Sequence, residues 1–346
     1  MTTRITHLIN DPNGTKETAP VRHPFIVWLQ VLAVCLSGAT WVHAADAWDA
    51  SSMFNDTAPE PPWLGSYAGD PNLRALSPTS YPPGPHSYSG YGVDRSDWQW
   101  HILPKGFIYS TYWASAAEPR LATHVVKDLR GNWLLDSHIG GRVGMVRFGP
   151  MDRDEGWQLD VLGGAKLRQD IDEELDVFGT DFRYDILMSY GVGPVAYKFG
   201  FYHVSSHVGD EWLLKNEDFE RLNYFRDGFV FGLSYFPNPR LRLYGEVGWA
   251  FAIEISRPWE LQFGIDYGPA HPTGIAGAPF AAINTHLRQE LDFGGNLALQ
   301  LGWAWRGQWS DGILRTGMYY YNGYSPQFSF YQQNEQQLGW GLWYDF

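Results

Sequence analysis

The residues best suited to chemistry fall on one row. Across 193–207, Val195, Tyr197, Phe199, Phe201, His203, Ser205 and His207 alternate with their neighbours, so on an extended chain all seven point the same way. Two imidazoles and a hydroxyl thus continue a row begun by apolar and aromatic side chains. Residues two apart on a strand face stand roughly 7 Å apart at Cα, from a rise of ~3.3 Å per residue. At that spacing the His203 imidazole can take the proton from Ser205 Oγ as the oxygen attacks an ester carbonyl, provided a third group fixes the ring's tautomer. Glu217, twelve residues beyond Ser205, and Asn216 beside it are the candidates for that third role, since either could reach back across the hairpin. Ser206 and His207 are alternates within the same cluster.

Two acidic segments could hold a hard cation through oxygen ligands. Asp210, Glu211, Glu217, Asp218 and Glu220 crowd one of them, and Asp170, Asp172, Glu173, Glu174 and Asp176 the other. Neither has the spacing of a calcium-loop motif. The candidate is calcium near Asp210, Glu211 and Asp218, weighed against simple solvated acidic turns. Zinc on His203 and His207 with Asp210 is disfavoured, because positions i and i+4 of a strand stand too far apart for joint ligation.

The elements that must position the row follow from a repeated period of two. Trp157, Leu159, Val161, Gly163, Ala165 and Leu167 oppose Gln158, Asp160, Lys166 and Arg168. Trp259, Leu261, Phe263, Ile265 and Tyr267 oppose Glu260, Gln262 and Asp266, and Leu297, Leu299, Leu301, Trp303 and Trp305 oppose Gln300 and Arg306. Nothing of comparable strength has a helical period. Segments of roughly ten residues, with aromatics toward the ends of the apolar face and Gly, Gln, Asp and Arg on the other, fit strands with lipid outside and a polar interior. Closure would also leave no exposed sheet edge.

The fold expected is all-β: an antiparallel transmembrane β-barrel of about twelve strands behind an N-terminal Pro/Gly-rich arm. The alternation places strands at 104–112, 136–148, 156–167, 180–190, 193–207, 227–237, 240–253, 259–267, 280–291, 296–306, 314–322 and 336–346. The last ends Leu338, Trp340, Leu342, Tyr344, Phe346, which resembles the C-terminal assembly signal of bacterial outer-membrane proteins. Both ends of an even barrel lie on one side, where turns should be short. Residues 191–193 and Asn238-Pro239 fit, whereas 268–279 is long for that side, so either a strand is misplaced or the loop is an exception.

Composition agrees and excludes other classes. The chain has 346 residues, 16% aromatic and only 18% charged, with 38 glycines and a net charge of −13. A generic basic nucleic-acid binder is excluded, because no broad face would neutralise phosphates. Residues 25–42 form an apolar run behind Arg22 and His23 and lead into Val42-His43-Ala44, which reads as a signal peptide over 1–44. The single cysteine, Cys35, lies within that run, so a disulfide-stapled fold is out. Residues 45–103, with Tyr81-Pro82-Pro83-Gly84-Pro85, are too poor in apolar pattern to offset chain entropy and read as a partly disordered arm. Residues 104–346 are the barrel.

His203-Val204-Ser205-Ser206 on the outward face of a barrel strand, with a carboxylate or amide about twelve residues later, resembles the active-site pattern of outer-membrane phospholipase A and of the lipid A 3-O-deacylases. That resemblance implies Ser205 as nucleophile, His203 as general base and Glu217 as orienting group. Ser206 stands where those enzymes commonly carry Asn. Over most of 105–346, including Tyr202-His203-Val204-Ser205-Ser206-His207-Val208-Gly209-Asp210-Glu211, the chain more closely resembles the bacterial family of unknown function numbered 1207, which implies no activity. Two functions are therefore expected to compete. One is a lipid acyl hydrolase of the outer membrane. The other is a non-catalytic structural or channel-forming barrel in which His203, Ser205 and His207 form a polar collar. The partners expected are membrane lipids, the barrel assembly machinery through Phe346, and a second copy in a homodimer, with no nucleic acid.

Overall fold

The computed structural model describes residues 95–308 and 311–346. The signal peptide read at 1–44 and the arm read at 45–103, up to residue 94, lie outside the described residues. Thirteen strands follow: β1 (Gln99–Ile102), β2 (Leu121–Asp128), β3 (Trp133–Gly149), β4 (Gly156–Asp170), β5 (Asp176–Val192), β6 (Val195–Val208), β7 (Tyr224–Asn238), β8 (Leu241–Ile253), β9 (Trp259–Tyr267), β10 (Ala278–Arg288), β11 (Gly294–Arg306), β12 (Ile313–Tyr324) and β13 (Asn334–Asp345). One short helix, α1 (Asp210–Lys215), sits between β6 and β7.

Each strand from β2 to β13 pairs antiparallel with the next, and β13 returns to β2 from Gln337↔Asp128 to Tyr344↔Leu121. Twelve strands therefore close a barrel, as alternation and an even count imply. β1 is additional. It pairs with one end of β3, Gln99↔Gly149 to Ile102↔Val146, while β2 takes the other end of the same edge, Leu121↔Ile139 to Lys127↔Trp133.

Between them, residues 103–120 leave the wall and run through the lumen. Here the sequence reading needs correction, because 104–112 is not a strand and the first wall strand is β2. The reason lies in how the inward backbone is satisfied. A buried backbone carbonyl needs a donor, which a ladder ordinarily supplies. In this segment wall arginines and the segment's own Arg120 supply it. Arg142 donates to Tyr109 O at 2.6 Å, and Arg242 to Ser110 O and Thr111 O at 2.8 and 2.7 Å. Arg120 donates to Tyr112 O and Trp113 O, both at 2.6 Å. Gly232 of β7 leaves the room: a Cβ there would lie 2.8 Å from the hydroxyls of Tyr109 and Tyr112.

The inward rows of the wall carry the polar residues, many of them in ion pairs. Arg315 lies 2.6 Å from Asp345, Arg142 2.6 Å from Asp160, and Arg168 2.7 Å from both Asp136 and Glu335. Lys198 reaches Glu246 at 2.5 Å. From the opposite end the β12–β13 connection also folds inward, and residues 325–331 are all buried. Lys166 donates to Pro326 O, and Asp181 accepts from the Phe328 amide at 3.3 Å. Between the two inward segments lies a small cavity lined by Glu118, Arg120, His138, Lys166 and Phe328.

Outward rows are apolar and exposed, as in Phe229, Phe231, Leu233 and Tyr235 of β7 and Trp259, Leu261, Phe263 and Ile265 of β9. The long connection 268–277 lies at the same end as the two-residue β5–β6 turn. It is an exception to the short-turn rule; the strand order on either side of it is as read.

Candidate active site on the outer wall

β6 is an interior strand of the sheet, hydrogen-bonded to β5 over Gly179↔Val208 to Val192↔Val195 and to β7 over Val195↔Tyr235 to Ser206↔Tyr224. Its even residues, Tyr202, Val204, Ser206 and Val208, are buried toward the lumen, so the odd row faces out. His203, Ser205 and His207 therefore follow Phe199 and Phe201 on the outer face, at the end of the strand that leads into α1.

Register fixes their neighbours. His203 stands directly between Tyr184 of β5 and Asp227 of β7, and Ser205 directly between Phe182 and Phe225. His203 Nδ1 is 2.5 Å from Asp227 Oδ1. A carboxylate there accepts the Nδ1 proton, leaving the Nε2 lone pair free to act as a base. The pair is partly exposed, His203 at 38% and Asp227 at 29% of their side chains. Within the outward strand rows these two, with His207 and the strand-end Lys127, are the charged or imidazole-bearing side chains among the described residues. They interrupt outward rows that are otherwise apolar and exposed.

The other expected residues are distributed differently. Ser205 makes no hydrogen bond to His203 among the described residues, although the two share one face at the spacing that allows it. His207 packs its ring edge-on against Phe182, centroids 5.8 Å apart. Ser206 faces the lumen, where it is hydrogen-bonded to Asp181 and to Ser329. Glu217 is exposed on the turn after α1, and Asn216 donates to Trp212 O at 2.8 Å. The carboxylate beside His203 is that of Asp227, which sequence reasoning passed over. A signal existed: Asp227 interrupts the apolar row Phe225, Phe229, Phe231, Leu233, Tyr235.

Asp210 and Glu211 open α1 and, like Asp218, are exposed. Among the described residues no group of three or more His, Cys, Asp or Glu side chains converges to hold a metal ion. Lys215 at the other end of α1 pairs with Glu173 and with Asp176, the latter at 2.6 Å, tying α1 to the β4–β5 turn. Asp176 and Glu173 hold its ammonium above the ordinary lysine value.

The family model described as "Protein of unknown function (DUF1207)" matches residues 99–346. None of the curated proteins matches the chain. Among solved structures, outer membrane phospholipase A from Escherichia coli is similar at 10% identity and a TM-score of 0.43, over 65% of this chain and 89% of that one. That likeness is too loose to carry anything about chemistry.

Proposed function

The chain belongs to the DUF1207 family, and from that premise we propose that it is an outer-membrane barrel of a Gram-negative-type bacterium whose outer face hydrolyses an acyl ester of a membrane lipid. The apolar outward rows support the membrane setting: so much exposed Phe, Trp, Leu and Ile has no counterpart on a protein surrounded by water. One observation carries the chemistry, the hydrogen bond from His203 to Asp227 on the lipid-facing side of β6, two residues from Ser205.

In the reaction proposed, Asp227 holds Nδ1–H and so keeps Nε2 unprotonated. Ser205 Oγ gives its proton to Nε2 as it bonds to the ester carbonyl carbon. Collapse of the tetrahedral adduct breaks the ester C–O bond, and the leaving alcohol takes that proton. Water then cleaves the acyl-serine by the same route in reverse. Oγ must swing toward His203 as substrate binds, the kind of tightening a catalytic hydrogen bond undergoes on forming the Michaelis complex. Phe182 and Phe225 on either side of Ser205 offer an acyl chain apolar walls, and substrate would arrive laterally through the bilayer.

The missing Ser205–His203 bond favours a second reading, a non-catalytic barrel with a polar collar. Its channel form is not supported, because two chain segments fill the lumen. Release of fatty acid from lipid vesicles by the refolded chain, with and without calcium, and its loss in Ser205→Ala, separates the readings.

A further inference from the structure

The long connection between β9 and β10 carries an outward feature of its own. Thr273 N donates to Arg306 O at 3.3 Å and Arg306 N to Thr273 Oγ1 at 3.1 Å, which holds Thr273 beside Arg306 just past Ala278↔Ala304, the last pair of the β10–β11 ladder. Between those two contacts, residues 274–277 stand opposite the single residue Trp305. The surplus swings to the outer face, helped by positive φ at Gly274 (59°) and Gly277 (68°). There it sits on two outward indoles: Trp303 Nε1 donates to Ala276 O at 2.7 Å and Trp305 Nε1 to Ile275 O at 2.8 Å.

We infer that residues 274–277 form a lobe seated in the headgroup–acyl boundary of the lipid leaflet at the end of the barrel that carries the C-terminus. The inference rests on the membrane reading above. Trp303 and Trp305 lie within three residues of the strand end, the level at which an aromatic girdle meets the interface. An indole N–H or a peptide carbonyl taken out of water needs a partner, and here each supplies the other's. The connection 268–277 contains no Asp, Glu, Lys or Arg. Its tip, Ile275, is the most exposed large hydrophobic side chain among the described residues, at 86%. Trp100 and Ile102 of β1, also exposed on the outer face at this end, extend the same apolar band.

The experiment uses the full chain with Cys35→Ser, reconstituted in phosphatidylcholine vesicles. Ile275→Cys carries an environment-sensitive dye, and Phe231→Cys, on the outward row of β7, carries it as reference. The 275 dye is expected to emit blue-shifted, to be quenched by a lipid nitroxide placed near the headgroup, and to be shielded from aqueous iodide. Replacing both indoles, Trp303→Phe with Trp305→Phe, should release the lobe and raise iodide quenching several-fold. A 275 dye open to iodide beside a 231 dye quenched by lipid overturns the inference and leaves the membrane reading standing. Both dyes open to iodide overturn both. Should Ile275→Cys not fold, Ala276→Cys reports the same position.

Discussion

Arg120, the last residue of the inward segment, lies 3.2 Å from Asp345, next to last in the chain. Arg315 shares that carboxylate, so seating the segment and closing β13 against β2 depend on one buried group. A buried ion pair is weak evidence of net stability, but removing one member leaves the other uncompensated.

Asp345→Asn is therefore expected to destabilise the folded barrel by about 3–5 kcal/mol. Urea unfolding in detergent micelles, followed by heat-modifiable gel mobility, measures it. An unchanged midpoint would show that water reaches Arg120 and Arg315.

For the outer-wall site, Ser205→Ala should abolish fatty-acid release while gel mobility stays native. Asp227→Asn should lower the rate by about 10²–10⁴-fold, the usual range for a general base and the group that orients it. Glu217→Gln should leave the rate within error, because its exposed turn stands apart from the hydrogen bond to His203. A large loss in Glu217→Gln with none in Asp227→Asn would reverse the assignment.

The lumen is closed from both ends, so the purified chain should give no conductance steps in planar bilayers. Excising residues 105–119 and shortening 325–331 together should produce them, and either change alone should not, because each segment blocks a different half. Steps from the unaltered chain would mean that one segment leaves the lumen in a membrane.

Asp154, in the turn between β3 and β4, provides a pH test outside the strands. Burial pushes its carboxyl up to about 6, against the opposing pull of Arg147 and Arg306. The folded state thus holds the proton more tightly than the unfolded chain, whose Asp titrates near ~3.9. Its favourable contribution is complete below that unfolded value and is lost as pH rises through about 6. Asp154→Asn should therefore raise the urea midpoint relative to wild type at pH 8, and the gain should vanish at pH 3.5. A gain of equal size at both pH values would assign it to something other than titration.

Of the wall, eleven of the twelve strand positions were legible, because period-two alternation is local and needs no partner to be read. The miss at 104–112 has a physical cause. Phe107 and Tyr109 alternate as a wall strand would, whereas β2 places Leu121 and Val125 on one face and Ala122 and Val126 on the other, which blurs its period. What separates the two is the donor each carbonyl finds. Arg120, Arg142 and Arg242 can satisfy the inward segment only once the barrel surrounds it.

That His203, Ser205 and His207 share a face with Phe199 and Phe201 follows from the amino-acid order alone, since side-chain direction along a strand depends only on parity. That order could not say which acid meets the imidazole. Glu217 is nearer along the chain, but Asp227 is nearer in space, because the β6–β7 register brings a residue twenty-four positions away directly opposite His203. Parity is a property of one strand, whereas register belongs to a pair and is set when the strands assemble.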